Sequence, residues 1–544
     1  MITSYLYHSP KGGARRGLSL FSILLFAIAA QAQDTYTNEH ITNNSSDVIG
    51  TARYVGMGGA LGALGSDISV ISWNPAGIGL YRKNDIAITF GGTWGKSYIA
   101  EEHRGKGTFD QAGFVFNMGI DSETCPYINF AFNFQKKKNF NQNFYADNAN
   151  INGLSQMDQL AELADWDDGT QNNLTGMALY EGFFGTKTMI DDEGKQQTYH
   201  YNKYGRSQSN MYTHHSEGSL QAFDFNLSTN INNRAFLGLT VGVDNLLYNG
   251  WNMYAEQNTS GQDKYYLNNN TRITGTGFNV KVGTIIRPIA DSPFRFGVAV
   301  ETPTWYRLKN STIFSLQRGL SYGNSFREWE NTDKDGYLFR FNLRSPWKMR
   351  ASIGSTIGTT FAWDVDYEYA TYSGTSMGYP DYVYNDGSTS GNMKDVAMNE
   401  FTRDIMRGTH TVRVGLEANA TPNLAFRLGY NLSTSPFEKD IYYDQYTLNS
   451  AAMNHTTGTN YMRMGTTNII TLGMGYRSKN FYIDFAYKLR NQFADFYAFD
   501  TSFAETLNNT QFVRNNPNYA DVTIDPVNVN LTRHAITCTL GFKF

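Results

Sequence analysis

The last stretch of the chain constrains its fold most. His534, Ile536, Cys538, Leu540, Phe542 and Phe544 fall on one face of an extended strand, and Arg533, Ala535, Thr537, Thr539, Gly541 and Lys543 on the other. One face is apolar and the other polar or small, as a strand between lipid and a wet lumen requires. An aromatic residue closing such a strand is the expected ending of an outer-membrane barrel.

The same period recurs upstream. Ile128, Phe130, Phe132 and Phe134 alternate with Asn129, Ala131, Asn133 and Gln135; Phe361 to Tyr369 alternates with Asp364, Asp366 and Glu368; Phe481 to Leu489 alternates with Asp484 and Lys488. So many apolar faces need a large apolar partner, and lipid supplies one without a second sheet. Aromatics reach 15%, as expected of barrels with aromatic girdles at both interfaces. Mean hydropathy is −0.45, and beyond the N-terminus no apolar run approaches the roughly 18 residues of a membrane helix. Any membrane crossing therefore falls to strands, since only helices and closed barrels satisfy the backbone in lipid.

The connections alternate in length. Short links are expected at 121–127, 230–234, 288–293, 355–360, 420–423 and 477–480, and long ones near 97–108, 137–218, 249–270, 311–335, 374–407, 436–465 and 493–530. Short periplasmic turns and long outer loops make the pattern of bacterial barrels. The count predicts an all-β fold, a transmembrane antiparallel β-barrel of about 14 strands. One long strand over 337–355 is expected to bend at Pro346. An even count places both ends in the periplasm. A barrel of this size is wider than one filled by wall side chains alone, so its lumen is open or plugged.

At the N-terminus, Lys11, Arg15 and Arg16 precede an apolar stretch from Leu18 to Ala30 and a small-x-small site at Ala30-Gln31-Ala32, the form of a cleaved secretory signal peptide over 1–32. Residues 33–84 read as compact, small-residue material suited to packing inside a tube, with the barrel over 85–544 and a large extracellular loop at 137–218. Gly56, Gly58, Gly59, Gly62 and Gly65 lack the preceding strand and the Lys-Ser/Thr pair of a phosphate loop. Gly58-Gly-Ala-Leu-Gly-Ala-Leu-Gly-Ser-Asp67 followed by Trp73-Asn-Pro-Ala-Gly-Ile78 resembles the N-terminal hatch of the FadL/OmpP1/TodX family of outer-membrane transporters. Arg295–Pro303, Ser345–Gly354, Trp363–Tyr369, Thr411–Glu417 and Leu428–Pro436 resemble successive strands of that family. The resemblance implies a 14-stranded barrel with an N-terminal hatch inside the lumen, with Asn74, Pro75, Ala76 and Gly77 as hatch or gate residues. It implies capture of long-chain fatty acid-like or aromatic compounds on apolar outer loops, and passive release through a lateral gap beside a kinked third strand. The long loop at 137–218 departs from the family pattern.

That loop itself reads as an apolar landing site. Ser155-x-x-Asp158 is a capping-box start, and Met157, Leu160, Ala161 and Ala164 follow at helical spacing, then Met177, Leu179, Phe183 and Phe184. The competing reading packs this face against the barrel rim. The remaining signals are weaker. The half calcium loop at 331–336 ends on Asn342 instead of Glu, Asp165 to Asp168 reads as solvated acid, and His214-His215 on a strand would point opposite ways. No Ser/His/Asp constellation has defensible spacing, so no enzyme, cofactor or metal is expected. Net charge of −4 argues against nucleic acid. Cys125 and Cys538 read as inert, unpaired residues. The expected partners are the lipid bilayer and lipopolysaccharide, a hydrophobic small molecule and, during biogenesis, the barrel assembly machinery; a monomer in a Gram-negative outer membrane is expected. The alternative is a family-like barrel that binds or shuttles cargo in a type IX-like protein secretion system.

Overall fold

The computed structural model describes residues 47–95, 105–166, 173–190, 194–261, 263–289, 292–319, 326–330, 339–384, 389–438, 450, 457–500 and 524–544. The signal-peptide segment, the half calcium loop and Asp168 lie outside the described residues. Fourteen strands form a closed antiparallel barrel. They are β1 (Asp85–Gly95), β2 (Lys106–Gly119), β3 (Tyr127–Asn139, resuming as Gln142–Asn148), β4 (Ser207–Ile231), β5 (Ala235–Asn258) and β6 (Lys264–Ile286). Next come β7 (Arg295–Glu301 and Trp305–Arg318), β8 (Phe339–Arg344 and Lys348–Ile357), β9 (Phe361–Thr371) and β10 (Gly408–Asn419). The last four are β11 (Leu424–Ser433), β12 (Tyr461–Arg477), β13 (Phe481–Tyr497) and β14 (Val527–Asn530 and Arg533–Lys543). Closure is complete along the whole of β1, whose register with β14 runs from Asp85↔Lys543 to Gly95↔Arg533.

Along each strand exposure alternates with burial. On β14 Ile536, Leu540 and Phe542 face outward, and Thr537 and Thr539 inward. On β6 Phe278, Val282 and Ile286 face outward, and Asn279 and Lys281 inward. An apolar outer face on a closed barrel without sheet edges is what the bilayer interior tolerates. Among the described residues no helix is long and apolar enough to cross a membrane. Cys125 and Cys538 are not disulfide-bonded.

Two of the expected long links are shorter than the sequence pattern suggests. The β5–β6 hairpin stays paired to Gln257↔Lys264, so the expected link at 249–270 is mostly ladder. In the expected link at 137–218, β3 resumes at Gln142–Asn148 and β4 already begins at Ser207. Both strands run on past the lipid belt, where water or loop replaces lipid. Alternation then fades although the backbone ladder persists. The expected bend at Pro346 is a break between Arg344 and Lys348, beside a matching break in β7 between Glu301 and Trp305 at Pro303. Proline lacks the ladder N–H, which suits it to such interruptions.

Residues 47–84 lie inside the barrel. They form α1 (Ala52–Gly56) and two 3-10 turns, Ile68–Ser72 and Pro75–Leu80, capped by Thr51, Asp67 and Asn74 respectively. Outside the strands, α2 (Gln156–Trp166), α3 (Asn173–Tyr180) and α4 (Val396–Ile405) belong to the outer loops.

Candidate functional site: a lumen in two halves

The inner half of the lumen is polar, and its side chains are used on the backbone of the N-terminal segment. An irregular segment leaves amides and carbonyls that must be satisfied once buried. The Asp366 carboxylate accepts from Gly62 N–H (3.2 Å), and Asp364 accepts from Ala63 N–H (3.1 Å) and Leu64 N–H (2.7 Å). From the opposite charge, Arg295 donates to Leu64 O (2.6 Å) and Arg350 to Trp73 O (3.0 Å). Asn129 donates to Ile78 O (2.7 Å), Ser228 to Pro75 O (2.9 Å), and Lys488 to Val48 O (2.8 Å).

Ion pairs reinforce these bonds. Arg53 of the segment meets Glu417 at 3.0 Å; Arg427 meets Glu417 at 2.6 Å and Asp484 at 2.6 Å, with the Arg427 side chain fully buried. The Trp73 ring stacks with the guanidiniums of Arg413 and Arg350, 3.6 and 4.6 Å from its centre. Arg350 is also paired to Glu301 and Glu368 at 2.5 and 2.6 Å.

Asn74, Pro75, Ala76 and Gly77 sit together at the centre of this packing, all buried. Asn74 Nδ2 donates to Gly62 O within the segment (2.9 Å) and to Thr284 O of the wall (3.3 Å), while its Oδ1 accepts from Ala76 N–H (3.2 Å) and caps the turn. Pro75 takes the first position of that turn, where its missing N–H costs nothing. The wall offers glycine where the segment comes closest. A Cβ on Gly283 would lie 2.1 Å from Asn74 Oδ1, and one on Gly429 2.1 Å from Gly58 N.

The outer half is apolar. On the inward face of β4, Asp224 gives way to Ala222 and Leu220; on β5, Asp244 gives way to Leu246. With Ile273, Leu308, Phe341 and Leu343 from β6 to β8, these form an apolar layer above the charges. Beyond it a larger apolar cluster fills the outer mouth, joining α2 and α3 to Tyr265, Phe314, Tyr461, Phe496 and Leu531 on the strand ends. Met157, Leu160, Met177, Phe183 and Phe184 are all buried in that cluster, and Leu179 packs against it. The residues expected to form an outer apolar face are thus brought together, but they point inward into a closed cap.

Two carboxylates fix this cap at the start of α2. Ser155 and Asp158 make the expected capping box: Met157 N–H donates to Ser155 Oγ (3.0 Å) and Ser155 N–H to Asp158 (2.9 Å). The buried Glu256 of β5 accepts from Gln156 N–H (3.0 Å), Tyr254 (2.6 Å), Tyr265 (2.9 Å) and the hydroxyls of Ser155 and Ser207. Sequence spacing did not disclose Glu256, because its partners arrive from distant segments. His214 and His215 take opposite faces as expected, His214 against Phe144 and Asn252, His215 against Trp251 and Asn143. Among the described residues no three His, Cys, Asp or Glu side chains converge as metal ligands.

The wall itself is incompletely paired between β2 and β3. β2 pairs with β3 only from Gly119↔Tyr127 to Gln111↔Gln135. Outward of this, among the described residues, 106–109 pair with β1 alone and β3 pairs with β4 alone, through a bulge at Lys136–Lys138 and the break after Asn139. A cavity of about 210 Å³ opens there, lined by Trp94, Lys106, Asn141, Asn143, His215 and Arg533 among others. Lys106 and Glu217 bridge across it at 3.3 Å.

The described barrel is similar to solved FadL-type channels. One is a Pseudomonas aeruginosa FadL homologue, 12% identical, covering 91% of this chain and 98% of that one at a TM-score of 0.45. A second is the Ralstonia pickettii toluene transporter TbuX, 12% identical, with 91% and 99% covered and a TM-score of 0.42. A third is the P. putida toluene transporter TodX, 9% identical, with 92% and 99% covered and a TM-score of 0.45. No protein-family model matches the chain, and no curated protein sequence matches it.

Proposed function

We propose that the protein is a channel of the Gram-negative outer membrane that admits small hydrophobic compounds without chemistry of its own. The observation that carries this reading is the change of polarity along the inward faces of β4 to β8, from Asp224 and Asp244 to Leu220, Leu246 and Ile273. A porin keeps its lumen polar because water fills it. An apolar outer lumen under an apolar cap suits a solute that water excludes. Methionines such as Met157, Met177 and Met464 in the cap can repack around ligands of different shape.

In this reading residues 47–84 are the hatch, and Asn74 to Gly77 its central turn. The ligand enters by displacing cap side chains and meets the apolar layer. It cannot continue straight through, because it would part the buried charged groups of the inner half from their partners and offer them no polar contact in return. The unpaired stretch between β2 and β3 offers release sideways into the lipid.

The test is uptake of a labelled long-chain fatty acid and of toluene into lipid vesicles carrying the purified protein. Uptake of either above empty vesicles supports the channel. A disulfide joining Lys106→Cys to Asn143→Cys across the wall cavity should then block uptake, and reduction should restore it. No uptake of either compound removes the proposal.

A further inference from the structure

The outer wall carries a second feature, on the face away from the lumen. Just outside the lipid belt of β6, β7 and β8, alternate outward positions are cationic. Register sets the positions as a grid: Arg307 is opposite Thr276 and Asn342, Trp305 is opposite Phe278 and Arg344, and Ser311 is opposite Arg272. Arg272, Arg307 and Arg344 are exposed. Arg307 and Arg344 are diagonal neighbours, about 7–8 Å apart along the sheet surface. No Asp or Glu occurs in 272–278, 305–311 or 340–344. Arg344 donates to Gly374 O at 3.1 Å, a bond to a neutral carbonyl. Lys309 and Arg340 stand directly opposite each other in the same grid and make further contacts of their own. The three arginines therefore carry the site.

Arg307 and Arg344, as diagonal neighbours with long side chains, stand within reach of each other, and like charges so placed are unfavourable unless something negative joins them. Depth tells what that is. At the periplasmic edge of the patch, level with Arg344, the outward residues are Trp305 at 48% exposure and Phe278 at 45%, followed by Trp347 at 44% and then Met349, Val300 and Val282. Tryptophan at the end of an apolar belt marks the headgroup level. Arg344 is level with Trp305, and Arg307 and Arg272 lie two and six residues further outward along the strands, so the three span the headgroup region from the tryptophan level outward. Elsewhere at this level the wall shows His410 with Tyr367, His534 with Tyr487, and Tyr430 with Asn468. Those pairs contain no arginine or lysine, and Lys106 beside Trp94 is paired to Glu217, so among the described residues the patch is one-sided.

We propose that the β6–β8 face binds the phosphorylated headgroup of an outer-leaflet glycolipid, with Arg272, Arg307 and Arg344 on the phosphates and Trp305 and Trp347 against the acyl–sugar boundary. Arginine suits phosphate because its planar fork donates two parallel hydrogen bonds. The site is independent of the lumen and would stand if the channel reading fell.

The full chain, purified in detergent, would be titrated with diphosphoryl lipid A and with the same lipid A stripped of phosphate, and binding read by native mass spectrometry. The wild type should prefer the phosphorylated form by about ten-fold or more, on the scale of basic residues at a lipid surface. The R272S/R307S/R344S variant should lose the preference, and R272K/R307K/R344K should keep most of it. Heat-modifiable gel migration checks that each variant remains a folded barrel. An equal preference in the serine variant overturns the site, as does the absence of a preference in the wild type. Displacement of lipid A by millimolar pyrophosphate would likewise overturn the lipid as occupant, assigning the patch to free anions.

Discussion

The two halves of the lumen are built from the same strands and solve opposite problems. In the inner half, wall carboxylates and guanidiniums reach the backbone of an irregular segment, and each bond has one geometry that works. In the outer half, helices and loops meet strand ends through apolar contacts that have no required direction. Directional polar bonds in a low-dielectric interior lock one arrangement and penalise any other. Apolar contacts can be traded for those of an apolar ligand at little cost. In the proposed reading the inner half is thus the lock, on the periplasmic side, and the outer half the exchangeable surface.

Breaking the lock should have the largest effect. Arg427→Ala leaves Glu417 and Asp484 buried without their shared cation, and removing one partner from such an arrangement costs about 3–5 kcal/mol. Single-channel recording in planar bilayers should show persistent ion conductance where the wild type is closed. Unchanged conductance would mean that the inner half is not a lock.

The matching change outside is Leu160→Ala, which opens a cavity in the cap at about 2–5 kcal/mol. Hydrogen exchange in α2 should accelerate and uptake of an apolar compound should rise, while ion conductance stays at the closed level. If Leu160→Ala conducts ions as Arg427→Ala does, the two halves are not separate devices. A smaller effect is expected of Gly283→Ala, whose new Cβ meets Asn74 Oδ1 and forces a local shift of the central turn, at about 1–3 kcal/mol. Brief conductance events in place of a sustained open state would sharpen the assignment of Asn74 to the lock; none at all would place the turn outside it.

How much of this the sequence disclosed follows the solvent. Where lipid lies on one side, alternation is enforced, and strands such as β13 and β14 could be read residue by residue. Where strands leave the lipid, the rule lapses, and the outer ends of β5 and β6 looked like loop. Asp364 and Asp366 were visible as an inward polar face, but not that they would hold Gly62 to Leu64, because that contact joins segments some three hundred residues apart. Gly283 and Gly429 left a signal that was available: glycine at inward positions of strands marks close approach of another backbone. The apolar side chains of the loop were legible, but the sequence left their direction open between a ligand and the barrel rim, since a helix face looks the same in sequence whether it awaits a ligand or covers a barrel mouth.

The gentlest probe of the comparison is pH, because the cap hangs on a carboxyl that the lock does not share. Asp158 lies in α2, outside the lipid, and burial pushes its carboxyl up to about 7 from 3.8, against the lowering by its bond from Asn202. A carboxyl raised on folding is held better protonated. Its contribution is therefore whole below pH 3.8, falls as pH climbs towards 7, and is gone above it. Protection factors for α2 amides, corrected for intrinsic exchange, should be higher at about pH 5 than at about pH 8. In Asp158→Asn the difference should vanish, because the amide cannot ionise. Ion conductance of the wild type should not change over the same range if the lock and the cap act separately. A pH difference that survives in Asp158→Asn would move the sensitivity to Glu256, the other carboxylate at this helix start, and the cap would then be tied to the barrel rim rather than to its own first turn.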